Sequence, residues 1–187
     1  AVAFYNRGIG YNRKGQYDRA IQDYDRAIKD FDRAIALNPK LADAYINRGN
    51  TYRSKGDYAR AIKDFDRVIA LYPKNASQRC WVRALTGTNL DLARADCDAA
   101  LALSNNEPDT LDSRGLVGIK QGLFDKAWAD YDAALRAKPE TASYLYGRGI
   151  AALRLGRTAE GKADLAAAKK LDKNIAETYA GYGVLPP

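Results

Sequence analysis

Arginine and aspartate are the residues of this chain whose repeated spacing could do chemistry. One arginine recurs just before a small residue in five stretches of the chain: Arg7, Arg48, Arg83, Arg114 and Arg148. One aspartate follows each of them further along: Asp23, Asp64, Asp96, Asp130 and Asp164, with Asp30 as an additional copy. A guanidinium group can hold a carboxylate at two points while its stem packs on apolar neighbours. We therefore predict structural ion pairs within each stretch, including Arg48–Asp64, Arg114–Asp130 and Arg148–Asp164.

A row of basic side chains for binding phosphates is the alternative interpretation of the arginines. It is disfavoured because each arginine has an acidic counterpart in its own stretch. A row of arginine head groups pointing into solvent, far from any aspartate, would contradict the pairing hypothesis.

Residues typical of catalysis are missing from the sequence. There is no histidine, which removes the most common general base, zinc ligand and pH switch together. The two cysteines, Cys80 and Cys97, are too few for a disulfide-rich scaffold and lack the spacing of metal ligands. No glycine-rich phosphate loop and no Ser-His-Asp set occurs. We expect no catalytic residues, no metal and no cofactor.

The net charge of +7 arises from interleaved signs, as in the stretch DRAIKDFDRAI. Such patterning is typical of a solvated helix face and mildly favours an acidic partner. No stretch approaches the ~18 apolar residues of a membrane span. We expect a soluble protein of the cytoplasm or the periplasm. Because the chain has no methionine, Ala1 is not expected to be the natural start of translation, and any targeting segment is out of sight.

One stretch, residues 41–75, shows the pattern that the rest of the chain repeats. Tyr45, Gly49 and Tyr52 form the apolar stripe of a first helix, and Gly56 breaks that helix. A second stripe follows at helical spacing, and Pro73 ends the unit. The stripe consists of Tyr58, Ala61, Ile62, Phe65, Val68 and Ile69.

This stretch resembles a tetratricopeptide repeat, a helix-turn-helix module of 34 residues whose motif has an aromatic, Gly, Tyr, Ala, Phe, Ala and Pro. The motif places hold Tyr45, Gly49, Tyr52, Ala61, Phe65, Val68 and Pro73. The resemblance implies an all-α fold, a right-handed α-solenoid of about five repeats in a single domain over 1–187, in the style of bacterial members. The predicted repeats are 1–40, 41–75, 76–107, 108–140 and 141–174, followed by a capping segment at 175–187.

The first repeat has an unusual second helix, predicted over 17–37. A stretch of seven residues is nearly duplicated there, as DYDRAIK and then DFDRAIA, which adds two turns. We expect these extra turns to leave apolar side chains uncovered between Tyr24 and Phe31. The alternatives are a two-turn offset with local repacking or a second copy of the chain that covers the surplus by dimerisation.

A candidate peptide groove lies one residue on from the packing stripe of each first helix, about 100° around the helix axis. In the family that this chain resembles, these positions line the concave groove. We define them as the groove stripe, and several, notably Ile150 and Leu153, could instead pack between repeats. The groove stripe comprises Tyr5, Ile9, Asn12, Arg13, Ile46, Asn50, Arg53, Trp81, Leu85, Asp112, Leu116, Ile119, Tyr146, Ile150 and Leu153.

The resemblance implies a non-catalytic scaffold that binds a peptide or helix of another protein in this groove. A clamp for C-terminal carboxylates is disfavoured, because Tyr5 and Ile9 stand where that clamp requires lysine and asparagine. The alternatives are a self-association module built on the helix 17–37 and a helical-repeat RNA binder. Nucleic acid is the less favoured partner because the groove stripe has no continuous line of Lys and Arg.

Overall fold

The computed structural model of the protein describes residues 1–71, 76–87, 89–104 and 106–187. All regular structure in these ranges is α-helical. The helices in chain order are α1 (Val2–Arg13), α2 (Tyr17–Leu37), α3 (Ala42–Ser54), α4 (Tyr58–Leu71), α5 (Ala76–Thr86), α6 (Leu90–Leu103), α7 (Pro108–Gln121), α8 (Phe124–Ala137), α9 (Ala142–Arg154), α10 (Thr158–Leu171) and α11 (Ile175–Gly181). The predicted all-α fold is confirmed, whereas the predicted stop at Pro73 lies outside the described residues.

Glycines end the first helix of several pairs. Gly15 and Gly56 have φ angles of 70° and 83°, in the left-handed region that side chains with a Cβ rarely adopt. Beyond each glycine the backbone N–H of the next residue returns to the helix, as in the bond of 2.8 Å from Asp57 to the Tyr52 carbonyl. These closed ends fix the sharp reversals that set each helix against the next.

The chain forms two compact units, Ala1–Val82 and Arg83–Pro187, with the division inside α5. One core cluster of the first unit joins Ile28, Tyr52, Ala61, Phe65 and Val82. The largest fully buried side chains of the second unit include Leu116, Val117, Tyr131, Tyr144, Ile150 and Tyr179. The expectation that residues 1–187 form one continuous domain stays a prediction.

The long helix α2 spans Tyr17–Leu37 as predicted, but the expected uncovered surface is not there. Tyr24 is 1% exposed and Phe31 is 5% exposed, so the prediction of bare apolar residues between them was wrong. Instead, exposed apolar side chains lie towards the two ends of α2, at Tyr17, Ile21 and Leu37.

Two neighbouring helices cover α2 together. The ring of Tyr5 in α1 lies 6.2 Å from that of Tyr24 in α2, and a Cβ at Gly8 of α1 would lie 2.6 Å from the Tyr24 ring. On the other side, Ala44 of α3 joins the core cluster that contains Phe31. The two extra turns are therefore covered within the chain itself, by packing of α1 and α3 along the same helix.

Glycine substitutions test how closely these helices pack. A Cβ at Gly115 would lie 2.7 Å from the fully buried ring of Tyr131, whereas a Cβ at Gly10 would meet nothing within 4 Å. We expect Gly115→Ala to lower the free energy of unfolding by about 1–3 kcal/mol through overpacking. Gly10→Ala should raise it by about 0.5–1 kcal/mol, because alanine loses less backbone entropy in a helix. Chemical denaturation of both variants measures the difference, and equal effects would contradict the close packing at Gly115.

Candidate functional site

Bidentate ion pairs join the two helices of a repeat. Arg48 Nε and Nη2 donate to the two carboxylate oxygens of Asp64 at 2.9 and 2.6 Å. The same two atoms of Arg114 bind Asp130 at 2.9 and 2.6 Å. Each arginine stem crosses a helix interface, and its aspartate is buried, with Asp64 4% exposed and Asp130 6% exposed. Nε and Nη2 also bind both carboxylate oxygens in the pairs Arg7–Asp23 and Arg148–Asp164, whereas Arg83 donates to Asp96 through Nη1.

A second aspartate, which the sequence reasoning missed, completes each of three arginine sites. Nη1 of Arg48 donates to Asp32 of the preceding helix α2 at 2.5 Å. Nη1 of Arg114 binds Asp98 at 2.7 Å, and Nη1 of Arg148 binds Asp132 at 2.9 Å. One guanidinium therefore bridges three helices, since it holds the second helix of its own repeat and that of the repeat before. We call this arrangement the arginine bracket.

The signal for the second aspartate is present in the sequence as an Asp-x-Asp pattern. In α6 and α8 the first aspartate binds the arginine of its own repeat and the second, two residues on, binds the arginine of the next. In α10 the position after Asp164 and Leu165 is Ala166, so the pattern stops there. The duplication in α2 separates the two roles, because Asp23 binds Arg7 and Asp32 binds Arg48.

The groove stripe of the first unit is partly accessible. Tyr5, Ile9, Ile46, Asn50 and Arg53 are half-buried. Two further members, Asn12 and Arg13, are exposed, and Trp81 is half-buried. The side-chain oxygen Oδ1 of Asn50 is buried and has no hydrogen-bond partner in the part of the chain that the structure describes. This stripe presents apolar side chains, amides and two guanidinium groups without an acidic residue.

The groove stripe of the second unit is largely closed. Leu116 is 1% exposed, Tyr146 is 2% exposed and Ile150 is completely buried, so the prediction that Leu116 and Tyr146 line an open groove was wrong. The ring of Tyr146 lies 4.8 Å from that of Tyr179, so the chain's own helix α11 contacts it there. Leu85, Asp112 and Leu153 are half-buried, and Ile119 is 9% exposed.

Asp112 lies in a buried polar cluster beside α11. Burial raises the pKa of Asp112 to about 7; the nearby Asp109 carboxylate acts in the same direction, and a hydrogen bond with Ser143 acts against both. The hydroxyl of Tyr179 donates to the Ser143 carbonyl at 2.8 Å and lies 3.5 Å from the hydroxyl of Tyr131. The cluster therefore favours a neutral Asp112.

Family models match the chain in two places. Both describe a tetratricopeptide repeat, one over residues 1–74 and the other over residues 114–177. The first range spans α1 to α4, and the second runs from within α7 into α11. The chain is a tetratricopeptide repeat protein. Members of this family serve as protein-interaction scaffolds and are generally not catalytic.

Solved structures share the fold of this tetratricopeptide repeat protein. The protein TTC0263 of Thermus thermophilus is 22% identical with a TM-score of 0.71, and the alignment covers 98% of each chain. MamA of Desulfovibrio magneticus RS-1 is 18% identical with a TM-score of 0.67, over 92% of this chain and 94% of that one. A chain of the APC/C hetero-tetramer Cut9–Hcn1 has a TM-score of 0.75 at 18% identity, over 94% of this chain and 35% of that one. No curated protein matches the chain significantly.

Membrane-spanning helices and metal-binding clusters are both missing from the residues that the structure describes. No helix among them is long and apolar enough to cross a membrane. In the same residues, no group of three or more acidic or cysteine side chains is placed to hold a metal ion.

Substitutions of Arg148 test the arginine bracket. Arg148→Ala would leave Asp164 buried and unpaired, so we expect the free energy of unfolding to fall by about 3 kcal/mol. Arg148→Lys keeps the charge but cannot donate two parallel bonds to Asp164 and a third to Asp132, so we expect a loss of about 1–2 kcal/mol. Urea unfolding of the two variants measures both values, and a lysine variant as stable as the parent would contradict the bidentate geometry.

The pKa of Asp112 predicts a pH-dependent stability. The folded protein keeps a proton on Asp112 that the unfolded chain loses above its ordinary value of about 3.9. Stability from this group is therefore present below pH ~4 and falls as the pH rises towards ~7. We expect Asp112→Asn to match the parent near pH 4 and to exceed it by about 2 kcal/mol at pH 8, because the group is half-buried and part of the effect is screened.

Urea unfolding measures the free energy of unfolding of the parent and the variants at each pH. Asp125→Asn serves as the control, because Asp125 is exposed in the first turn of α8. The difference in free energy of unfolding between this control and the parent should not change with pH. An Asp112→Asn difference that is equally independent of pH would contradict the buried, neutral carboxyl group.

Proposed function

We propose that the protein is a non-catalytic scaffold that binds an extended or helical segment of another protein along the groove stripe of its first unit. The observation that carries the proposal is the composition and exposure of this stripe. Half-buried Tyr5, Ile9 and Ile46 supply apolar contact area, and Asn50 is a half-buried amide among them.

The partner segment that fits this stripe is acidic as well as apolar. Residues 1–82 hold 16 Lys and Arg against 9 Asp and Glu, whereas residues 83–187 hold 14 of each. The whole net charge of the protein thus belongs to the first unit. Arg13 and Arg53 bring part of that charge to the groove stripe, where carboxylates of a partner would be attracted to them.

A contact inside the second unit shows how a helix can pack on the groove stripe, and it supports the proposal. The ring of Tyr146 in its groove stripe packs at a tilt against Tyr179 of the chain's own α11, and Leu116 and Ile150 of the same stripe are buried. Among the described residues, the same positions in the first unit have no such cover from a C-terminal helix of that unit, which consists of α1–α4 and part of α5. An incoming segment would make the kind of contacts that α11 makes.

The alternatives receive less support. Self-association through α2 was motivated by uncovered residues between Tyr24 and Phe31, and these are buried within the chain. RNA binding would use arginine head groups for phosphates, but Arg48, Arg114 and Arg148 each hold two carboxylates. Salt-dependent binding to generic RNA would revive that second alternative.

Selection from a displayed library of peptides of about 12 residues tests the proposal. We expect the selected peptides to combine Asp or Glu with aromatic and aliphatic residues. Fluorescence anisotropy should show at least a tenfold weaker affinity for the double variant Asn50→Ala, Arg53→Glu, since a contact of 1.4 kcal/mol corresponds to a factor of 10. The variant Arg67→Glu is the matched control, because Arg67 is exposed on α4, outside the stripe.

The result that would overturn the proposal is equally specific. Selected peptides whose affinity is unchanged in the double variant would place binding elsewhere. An equal loss of peptide affinity in the Arg67→Glu control would show that the double variant weakens binding only through its change in net charge.

A further inference from the structure

A cavity of about 630 Å³ lies in the second unit, among helices α5 to α9 and the segment that follows α11. Small-molecule sites in proteins typically have volumes of roughly 300–1,000 Å³. Of the residues that line this cavity, only Ile119 belongs to the groove stripe. We call it the Lys120 cavity, and the side chains that decide its chemistry are Leu90, Ile119, Lys120, Phe124, Arg154 and Leu185.

Apolar side chains from three helices and from the segment after α11 form the walls of the Lys120 cavity. Leu90 and Phe124 are half-buried at the starts of α6 and α8, and Ile119 near the end of α7 is 9% exposed. Beyond α11, the backbone N–H of Val184 returns to a carbonyl of that helix at 3.0 Å, which holds the segment that brings Leu185 to the rim. These walls offer contact area to a hydrocarbon body.

Lys120 is a half-buried cation of this cavity. Its Nζ donates to the Leu85 carbonyl in the last turn of α5 at 2.8 Å, and among the residues that the structure describes no carboxylate forms an ion pair with it. Burial lowers the pKa of Lys120, and no acidic neighbour acts against that effect. An ammonium group has three donors, so one hydrogen bond does not exhaust it. An anion in the cavity would supply the charge partner that the described residues do not.

Arg154 brings a second cation to the same cavity. It follows Lys120 by 34 residues, so the two side chains occupy the same position in consecutive repeats, at the ends of the packed helices α7 and α9. Its guanidinium carbon lies 5.9 Å from the centre of the Phe124 ring. Arg114 and Arg148 of the same two helices each hold two carboxylates, whereas in the described part of the chain Arg154 holds none.

A compact ligand fits the Lys120 cavity better than a peptide segment does. A peptide would have to continue along the groove stripe beside Ile119, and that stripe is closed, with Leu116 1% exposed and Ile150 completely buried. A small molecule would occupy the cavity alone. Arg154 and Leu185 are exposed at the rim, where such a molecule would enter.

We propose that the Lys120 cavity binds a small amphipathic carboxylic acid with an aliphatic chain. The carboxylate binds Lys120 Nζ and the guanidinium group of Arg154, and the chain contacts Leu90, Ile119 and Leu185. The planar guanidinium matches a carboxylate at two points, and the ammonium adds a point charge. The apolar walls disfavour a fully hydrated anion such as inorganic phosphate. This site is separate from the peptide binding proposed for the first unit, and neither proposal depends on the other.

Octanoate is the appropriate ligand for the test, and isothermal titration calorimetry with the full chain measures its affinity. We expect a dissociation constant of about 0.1–1 mM, as for a ligand of about ten non-hydrogen atoms. Three matched molecules separate the contributions. 1-Octanol keeps the chain without the charge, acetate keeps the charge without the chain, and octylammonium reverses the charge. Each of the three should bind at least about tenfold more weakly than octanoate.

Four variants of the protein locate the site. Lys120→Gln and Arg154→Gln each remove one cation, and the glutamine at 120 retains an N–H donor for the Leu85 carbonyl. Leu185→Asp places a carboxylate at the rim. We expect each of these variants to weaken octanoate binding about tenfold or more, and the control Lys126→Gln, exposed on α8 outside the cavity, to stay within about twofold of the parent. Because Arg154 and Leu185 are exposed, their variants test the site independently of any structural effect of Lys120→Gln.

Several results would overturn the proposal. The first is the absence of saturable binding at about 10 mM octanoate, ten or more times the expected dissociation constant. Equal affinity for 1-octanol would show that the two cations take no part. An equal loss of affinity in Lys126→Gln would show an effect of net charge only. Octanoate binding that is weakened by the groove variant Asn50→Ala, Arg53→Glu and unchanged in the cavity variants would place the ligand in the first unit.

Discussion

The three-helix arginine bracket is the interaction on which the helix order of each unit depends. Apolar packing alone would allow neighbouring helices to slide by a turn, because leucine- and alanine-sized side chains repeat at similar spacing. A guanidinium that must meet two carboxylates from two different helices admits one alignment. The buried aspartates, such as Asp64 and Asp164, make misalignment costly, because each would then be left without a partner in a region of low dielectric.

The arginine bracket contains one contact that the sequence predicts and one that it does not. The pairing of Arg48 with Asp64 follows from their recurrence, because both residues belong to one repeat and return with it. The contact of Arg48 with Asp32 joins two repeats, and recurrence alone does not say which of two aspartates faces which neighbour. The Asp-x-Asp pattern was visible, but its division of roles required the positions of three helices at once.

Two predictions, an uncovered surface on α2 and an accessible Tyr146, were wrong because a sequence does not show which helices pack against a given side chain. The hydrophobic periodicity of α2 correctly predicted a long helix. Periodicity identifies the apolar positions of a helix but does not show how many other helices pack against them. Because α1 and α3 both pack along α2, residues such as Phe31 are buried without a second chain. In the second unit the period likewise placed Tyr146 on the groove stripe. It could not show that Tyr179 of the final helix lies against that ring.

The two units are built from the same kind of helix pair but differ in which side chains are accessible. In the second unit Tyr179 of α11 lies against Tyr146 of the groove stripe, and the Asp-x-Asp pattern stops at Ala166. In the first unit the stripe is partly accessible, Arg7 holds one carboxylate where Arg48 holds two, and all of the net positive charge resides there. The same repeat pattern therefore gives two different surfaces, because Tyr146 of the groove stripe packs against Tyr179 in the second unit, whereas Tyr5, Ile46 and Arg53 of the first unit are half-buried.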